Sequence, residues 1–114
     1  MMNGPLLLSD ITPEKIAENR TRYLTYTDNL MIVVVNFDDG PRTEPDAPHQ
    51  HPHEQVSYMA EGEVLFFLDG SPTHLKPGDL VAVPGNVPHC VQPLTPHARL
   101  VDVFNPIRED FLKK

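Results

Sequence analysis

Three histidines and a glutamine lie close together near the middle of the chain and are candidates for a metal site. They are His49, His51, His53 and Gln55, in the segment PHQHPHEQ. Residues two apart in a strand project to the same face, so these side chains can point in one direction. The spacing does not decide which histidine is left out. A histidine cluster in a proline-rich loop is more often a solvated surface feature than a ligand set, so a further ligand elsewhere is needed.

That further ligand is His89, which ends the segment GDLVAVPGNVPH. At this point the chain resembles the cupin superfamily, which carries two short motifs. The first motif places a glutamate and then a glycine after an HxH pair, and residues 49–62 match its spacing, with Gln55 in the glutamate position. The second motif runs from a glycine through a proline to a histidine, and Gly78, Pro84 and His89 match it.

The resemblance implies an all-β fold, the cupin double-stranded β-helix or jelly-roll barrel. It also implies that His49, His51, Gln55 and His89 bind one divalent transition metal inside the barrel. The candidate metals are zinc, nickel, iron, copper and manganese, because nitrogen-rich ligation disfavours magnesium and calcium. A neutral amide leaves more of the metal charge uncompensated than a carboxylate does, which favours Lewis-acid chemistry. The remaining histidines are assigned to the surface or to the neighbourhood of the site: His53, His74 and His97.

A carboxylate near the C-terminus is a candidate proton carrier. Asp102 lies two residues from Leu100 and two from Phe104, so all three share one face of a predicted strand. If the apolar pair points into the barrel, Asp102 does too. A buried carboxylate must pair, bind metal or shift its pKa upward. The alternative is an edge aspartate that accepts hydrogen bonds from backbone donors.

The ending DVFNPIREDFL at residues 102–112, together with PHQHPHEQ, closely resembles the pectin degradation protein family KdgF. These small cupins convert 4,5-unsaturated monouronates to open-chain ketones, and their metal ligands include a glutamine. The resemblance implies that Asp102 relays a proton, Phe104 packs on the sugar ring and Arg108 clamps the substrate carboxylate. The alternative for Arg108 is a surface ion pair with Glu109 or Asp110.

The leading functional hypothesis is therefore a metal-dependent isomerase acting on an unsaturated uronate or a similar small sugar acid. Two alternatives remain open. One is an iron or copper dioxygenase of a small organic substrate, which many cupins are. The other is a non-catalytic sensor or sugar-binding module with a structural metal, because a fold does not fix a function.

Short apolar runs separated by prolines predict many short strands, arranged as a sandwich or a barrel. Thirteen prolines are spread along the 114 residues, and proline is found mostly at strand ends and turns because it lacks a backbone donor. We predict one domain over residues 1–114, with a core barrel at about 21–106, an N-terminal arm at 1–20 and a C-terminal tail at 107–114.

Within this domain, eight strands and one helical segment are predicted. Thr12, Pro13 and Glu14 resemble a helix start, so we expect one or two helical turns near residues 12–19. The predicted strands are 20–26, 30–37, 55–60, 63–68, 71–75, 80–83, 89–92 and 98–104.

The segment LMIVVVNF at residues 30–37 is apolar at both alternating sets of positions, so something is expected to cover its outer face. The N-terminal segment of the same chain is one possibility, and a partner subunit is the other. The latter leads us to expect a homodimer.

Composition excludes several kinds of partner. The formal net charge is −7, which argues against nucleic acid and against an anionic membrane surface. A single cysteine excludes an internal disulfide, and no signal-peptide core or membrane span is present in the sequence. A cytoplasmic location is therefore expected, with a small-molecule substrate, a sugar acid, as the partner.

Overall fold

The computed structural model describes residues 3–113, and the regular structure in this range is almost entirely antiparallel strands. The strands are β1 (Glu14–Ala17), β2 (Arg20–Tyr26), β3 (Met31–Phe37), β4 (Glu54–Glu61), β5 (Val64–Leu68), β6 (Ser71–Leu75), β7 (Leu80–Val83), β8 (His89–Pro93) and β9 (Ala98–Asn105). Two short 3-10 turns, Leu8–Asp10 and Glu109–Phe111, flank them. Within the described range, no helix is long and apolar enough to cross a membrane.

The strands form two sheets that enclose one interior. The larger sheet has the order β1-β2-β3-β9-β4-β7, and the smaller one has the order β6-β5-β8. The chain leaves the larger sheet after β4, returns for β7 and crosses again for β8 and β9. This is the double-sheet jelly roll that was expected, and the all-β prediction is confirmed.

Side-chain alternation separates an apolar core from a polar region of the interior. Met59 and Val64 are fully buried, and they belong to a cluster that includes side chains from β3, β5 and β9. The buried polar residues in the described part of the chain are Asn36, His51, Gln55, Ser57 and His89. Asn36 bonds to Arg99 and Thr21 side chains, whereas the other four belong to the site described below.

The predicted strands agree with β2 to β9 to within one residue at each end. The two-residue turn Asp69-Gly70 joins β5 to β6 with φ values of 50° and 83°. A two-residue hairpin turn of this kind requires positive φ at both positions, and an Asp-Gly pair is well suited to it.

The helical prediction for residues 12–19 is wrong. Residues 14–17 form β1, in which Glu14 lies opposite Arg22 of β2. The nearest helical turn is the 3-10 turn at Leu8–Asp10. A helix of one or two turns is marginal in water, whereas a strand docked on the open edge of β2 satisfies its backbone groups with ladder hydrogen bonds.

The outer face of β3 is bordered by the N-terminal segment of the same chain. A cavity of about 180 Å³ is lined by Leu6 and Leu8 together with Ile32 and Val34 of β3. This arrangement corresponds to the first of the two possibilities raised by the apolar segment 30–37. The homodimer stays a prediction.

Candidate active site

The segment that carries the first histidines is hydrogen bonded along β8, and this fixes where those histidines lie. Asp46 N donates to Val91 O at 3.0 Å. Further along, His49 N donates to His89 O at 3.0 Å and His89 N donates to His49 O at 2.9 Å. His49 and His89, forty residues apart in sequence, thus form a directly opposed pair, with ring centroids 4.3 Å apart.

His51 is held from the other side by the turn between β7 and β8. Asn86 N donates to His51 O at 2.7 Å. A Cβ added to Gly85 would lie 2.6 Å from Pro52 O, so this close backbone approach requires glycine. Asn86 itself has φ of 64°, which asparagine tolerates better than most residues. The second sequence motif therefore positions the first one through backbone contacts.

The structure brings together all four side chains that were predicted as metal ligands. Ligand atoms of His49, His51 and His89 all lie within 4.8 Å of one another. Gln55, near the start of β4, places its Oε1 at 3.2 Å from His51 Nε2. His51, Gln55 and His89 are buried, whereas His49 is exposed at the cavity mouth.

Two of these rings donate a hydrogen bond to a backbone carbonyl, and this leaves a lone pair on their inward-facing nitrogen. His51 Nδ1 donates to His53 O at 3.0 Å, and His89 Nδ1 donates to Val87 O at 2.9 Å. A neutral ring that donates through Nδ1 can only accept at Nε2. His89 Nε2 is buried and has no hydrogen-bond partner in the described structure.

The contact between His51 Nε2 and Gln55 Oε1 then joins two acceptors, which repel unless a cation lies between them. An orphaned imidazole nitrogen and two facing acceptors are the features expected of a ligand set for a metal ion. The residues present therefore fit a divalent transition metal with three imidazoles and an amide oxygen.

The electrostatic environment keeps the imidazoles of His49 and His51 neutral at pH 7. Partial burial of the ring, together with the neighbouring His89 and His51 rings and Arg108, lowers the pKa of His49 to about 4. Burial and the Arg108 charge also lower the pKa of His51. Neutral imidazole is the form that binds a metal, so the lone pairs are available without proton loss at pH 7.

A buried hydroxyl connects Gln55 to the predicted proton carrier. Gln55 Nε2 donates to Ser57 Oγ at 3.0 Å, and Ser57 Oγ donates to Asp102 Oδ1 at 2.6 Å. Burial raises the pKa of Asp102 to about 6, while hydrogen bonds from Ser57 and Gln55 and the charge of Arg108 oppose the rise. Asp102 is therefore an interior carboxyl that titrates near neutral pH, and not an edge aspartate.

Arg108 lies in the site and is also ion paired. Its Nε and Nη2 donate to the two Asp110 carboxylate oxygens at 3.0 and 2.8 Å. The guanidinium carbon lies 5.1 Å from the Phe104 ring centroid and 4.2 Å from that of Phe111. The predicted alternative of a neighbouring ion pair is thus present, but the Arg108 side chain is only 13% exposed and faces the ligand cluster.

Most of these groups line one cavity of about 260 Å³. It is bordered by two of the histidine ligands, by Gln55 and by all three predicted substrate-contacting residues. Those residues are His49, His89, Gln55, Asp102, Phe104 and Arg108. Because the ligand cluster opens onto this space, a small molecule can approach it.

Sequence reasoning did not single out two residues of this site: Ser57 and Phe111. Ser57 shares the parity of Gln55 along β4, which is the one signal that the sequence offered. Its contact with Asp102 depends on the register between β4 and β9, which places the two residues directly opposite each other.

The three histidines assigned no ligand role lie outside the cluster. His53 contributes its backbone carbonyl to His51. His74 bonds to Glu63 at 2.6 Å, and His97 bonds to both Asp38 and Glu61 at 2.7 Å.

Comparison with known families and curated proteins gives two matches that extend over most of the chain. Residues 33–104 match the family described as "Cupin domain". The chain is 34% identical over 108 residues to the pectin degradation protein KdgF of Dickeya dadantii (strain 3937). The aligned region covers 92% of this chain and 96% of that protein.

Two solved structures resemble the whole fold. KdgF from Halomonas sp. superposes with a TM-score of 0.87 at 28% identity, covering 96% of this chain and 99% of the other. An RmlC-like cupin from Shewanella frigidimarina NCIMB 400 has the same TM-score at 33% identity and covers 96% of each chain.

Proposed function

This chain belongs to the cupin domain family and is a homologue of the pectin degradation protein KdgF, and on that premise we propose that it is a metal-dependent isomerase. Its substrate would be a 4,5-unsaturated uronate or a similar small sugar acid, converted to the open-chain keto form. The observation that carries the proposal is the shared cavity, which borders both the imidazole and amide cluster and the side chains of Asp102, Phe104 and Arg108.

His49, His51, Gln55 and His89 would hold one divalent transition metal, which is zinc, nickel, iron, copper or manganese. The unpartnered His89 Nε2 and the facing acceptors of His51 and Gln55 support this assignment. When bound, such an ion supplies positive charge that stabilises negative charge on substrate oxygens.

The cavity chemistry supports a small acid as substrate. A volume of about 260 Å³ is below the range of drug-sized pockets, so a monosaccharide is a better fit than a longer chain. Arg108 Nη1 has no hydrogen bond to any described residue and would donate to the substrate carboxylate. Arg108 Nε and Nη2 would keep their hydrogen bonds to Asp110. The Phe104 ring, stacked near Arg108, would pack against the sugar.

Asp102 would move the proton that this isomerisation requires. Ring opening breaks the bond between C1 and the ring oxygen as the C1 hydroxyl loses its proton, which leaves an enolate. The enolate then takes a proton at C4 and becomes a ketone. The two proton movements balance, so no atom is gained or lost. A carboxyl in the cavity wall with a pKa of about 6 can accept and donate near neutral pH.

The test is the near-ultraviolet absorbance of a purified 4,5-unsaturated monouronate. Metal-loaded protein should speed the loss of the double bond, chelation should abolish the acceleration, and added metal should restore it. Metal-replete protein that leaves the absorbance decay at its uncatalysed rate would overturn the proposal. Oxygen consumption in the same cuvette would instead favour a dioxygenase.

A further inference from the structure

The Ser57 hydroxyl is buried between two groups of the site that do different work. It is 4% exposed, and it lies on β4 directly opposite Asp102 of β9. On one side it is 2.6 Å from Asp102 Oδ1, and on the other it is 3.0 Å from Gln55 Nε2.

The donors and acceptors of Gln55, Ser57 and Asp102 determine which group donates in each of the two hydrogen bonds. An ionised carboxylate only accepts, so the single Ser57 proton is committed to Asp102. Ser57 Oγ can then only accept from the group on its other side. Gln55 meets this requirement with its NH₂ group, which turns its carbonyl oxygen away from Ser57 and toward His51 Nε2 at 3.2 Å.

We propose that Ser57 is a positioning residue that selects the orientation of the Gln55 amide. By accepting from Nε2, it directs Oε1 into the histidine cluster, where an oxygen can ligate a cation and an NH₂ group cannot. Asp102 reinforces this selection because it keeps the hydroxyl proton away from Gln55. The ligand geometry of the site thus depends on a residue that touches neither metal nor substrate.

The amide orientation can be tested in the metal-free protein by NMR. The Gln55 side-chain NH₂ pair is identified by its absence from the spectrum of Gln55→Glu. In the parent protein, one of its protons should resonate downfield and exchange slowly with water, because it is bonded and buried. Ser57→Ala should move the pair to the position of a free amide, whereas Ser57→Thr, which keeps a hydroxyl, should leave it in place.

The consequence for the site is tested by metal affinity, with Co²⁺ and Zn²⁺ titrated against a chelator. Partners that orient metal ligands commonly affect affinity by about 10- to 100-fold, so Ser57→Ala should weaken binding by that factor. Ser57→Thr should restore it. The matched control Ser71→Ala, at an exposed serine in β6, should have no effect. If Ser57→Ala does not fold, Ser57→Cys takes its place, since a thiol is a weak hydrogen-bonding group in the same shape.

An unchanged Gln55 amide pair in Ser57→Ala would overturn the inference, and so would an unchanged affinity for both metals. The inference rests on the proposed metal site only for its consequence. The amide measurement needs neither metal nor substrate, so it decides the inference even if the isomerase assay fails. A positive amide result with no turnover would overturn the proposed function alone.

Discussion

At position 55 the side chain meets two neighbours with opposite requirements. On one side, the cluster of His49, His51 and His89 presents ligand atoms, and the metal ion proposed there would take an oxygen ligand from this side chain. On the other, Ser57 needs a donor, because its own proton goes to Asp102. An amide carries an acceptor and a donor on one planar group, and a carboxylate carries only acceptors. The local hydrogen bonding therefore explains why this chain has glutamine where the cupin motif usually has glutamate.

The first prediction follows from this. Gln55→Glu would place two carboxylates around one hydroxyl proton in the barrel interior. An unsatisfied buried polar group costs about 1–3 kcal/mol, so the free energy of unfolding of the metal-free protein should fall by about that amount at pH 8. Chemical denaturation measures it. Asp102→Asn added to the same chain should recover most of the loss, and a double variant no more stable than Gln55→Glu alone would contradict the explanation.

A second prediction concerns the proton carrier. Asp102→Asn keeps the size of the side chain and can still accept from Ser57, but it cannot take up a proton from the substrate. General acid or base catalysis typically contributes about 10²- to 10⁴-fold, so kcat should fall within that range. Metal content, measured by elemental analysis, should not change. Unchanged turnover would remove Asp102 from the mechanism.

Among the elements, the short C-terminal segment after β9 completes the wall of the cavity. Its 3-10 turn, Glu109–Phe111, places the Phe111 ring 4.0 Å from the Arg22 guanidinium carbon and 4.2 Å from that of Arg108. Phe111 also meets Phe104 edge to face at 5.9 Å. One aromatic ring therefore connects the tail, β2 and the end of β9.

A third prediction tests this connection. Phe111→Ala would remove both cation–π contacts and the aromatic pair, so it should lower the free energy of unfolding by about 1–3 kcal/mol. It should also raise KM more than it lowers kcat, because Arg108 would lose the face that orients it. Phe111→Tyr retains the ring and is the control. Equal KM values for Phe111→Ala and the parent protein would show that the ring does not orient Arg108.

Hydrogen bonds of His97 to two carboxylates connect the start of β9 with the ends of β3 and β4. This histidine precedes β9 and bonds to Asp38, which follows β3, and to Glu61 at the end of β4. Arg99 Nε lies 3.9 Å from the same Glu61 carboxylate. The hydrogen bonds that His97 donates to the Glu61 and Asp38 carboxylates raise its pKa, with partial burial opposing them.

The fourth prediction is the pH dependence that this pKa implies. A group with a raised pKa in the folded state stabilises the fold below its unfolded pKa, and this contribution disappears as the pH rises through the folded pKa. The difference in unfolding temperature between the parent and His97→Gln should therefore be larger at pH about 5.5 than at pH about 8.5, since histidine ordinarily titrates near 6.5. A difference that does not change with pH would mean that the pKa of His97 is the same in the folded and unfolded protein.

On the scale of the whole molecule, the larger sheet exposes apolar side chains on its outer surface. Val56 and Tyr58 of β4 are 53% and 46% exposed, and Leu80 of β7 is 74% exposed. Apolar surface in contact with water is a driving force for association. The homodimer predicted from the sequence would bury such surface, although the N-terminal segment already borders the outer face of β3.

The fifth prediction is the solution mass. Sedimentation equilibrium should give about twice the chain mass of 12.8 kDa, because a second copy would cover exposed apolar surface. High salt should not dissociate such a dimer, since apolar contacts are not screened. A mass of one chain at all concentrations tested would contradict the prediction.

Local sequence patterns were sufficient for most of the fold. Alternation and turn residues placed β2 to β9, because strand formation depends on side-chain parity and on glycine, proline and aspartate at the turns. The same patterns failed at residues 14–17, where a local helix-start signal was outweighed by the open edge of β2. Sheet edges are created by tertiary structure, so a local signal cannot report them.

The sequence by itself determined which residues could do chemistry, since the ligand types and the spacing of the two motifs are properties of the chain order. Only the tertiary structure decided how those residues meet. The pairing of His49 with His89 and of Ser57 with Asp102 depends on strand register across forty or more residues. The burial that raises the pKa of Asp102 depends on the closed barrel. Register and burial arise from contacts distant in sequence, and for that reason the hydrogen-bonded chain from Gln55 to Asp102 became apparent only in the folded molecule.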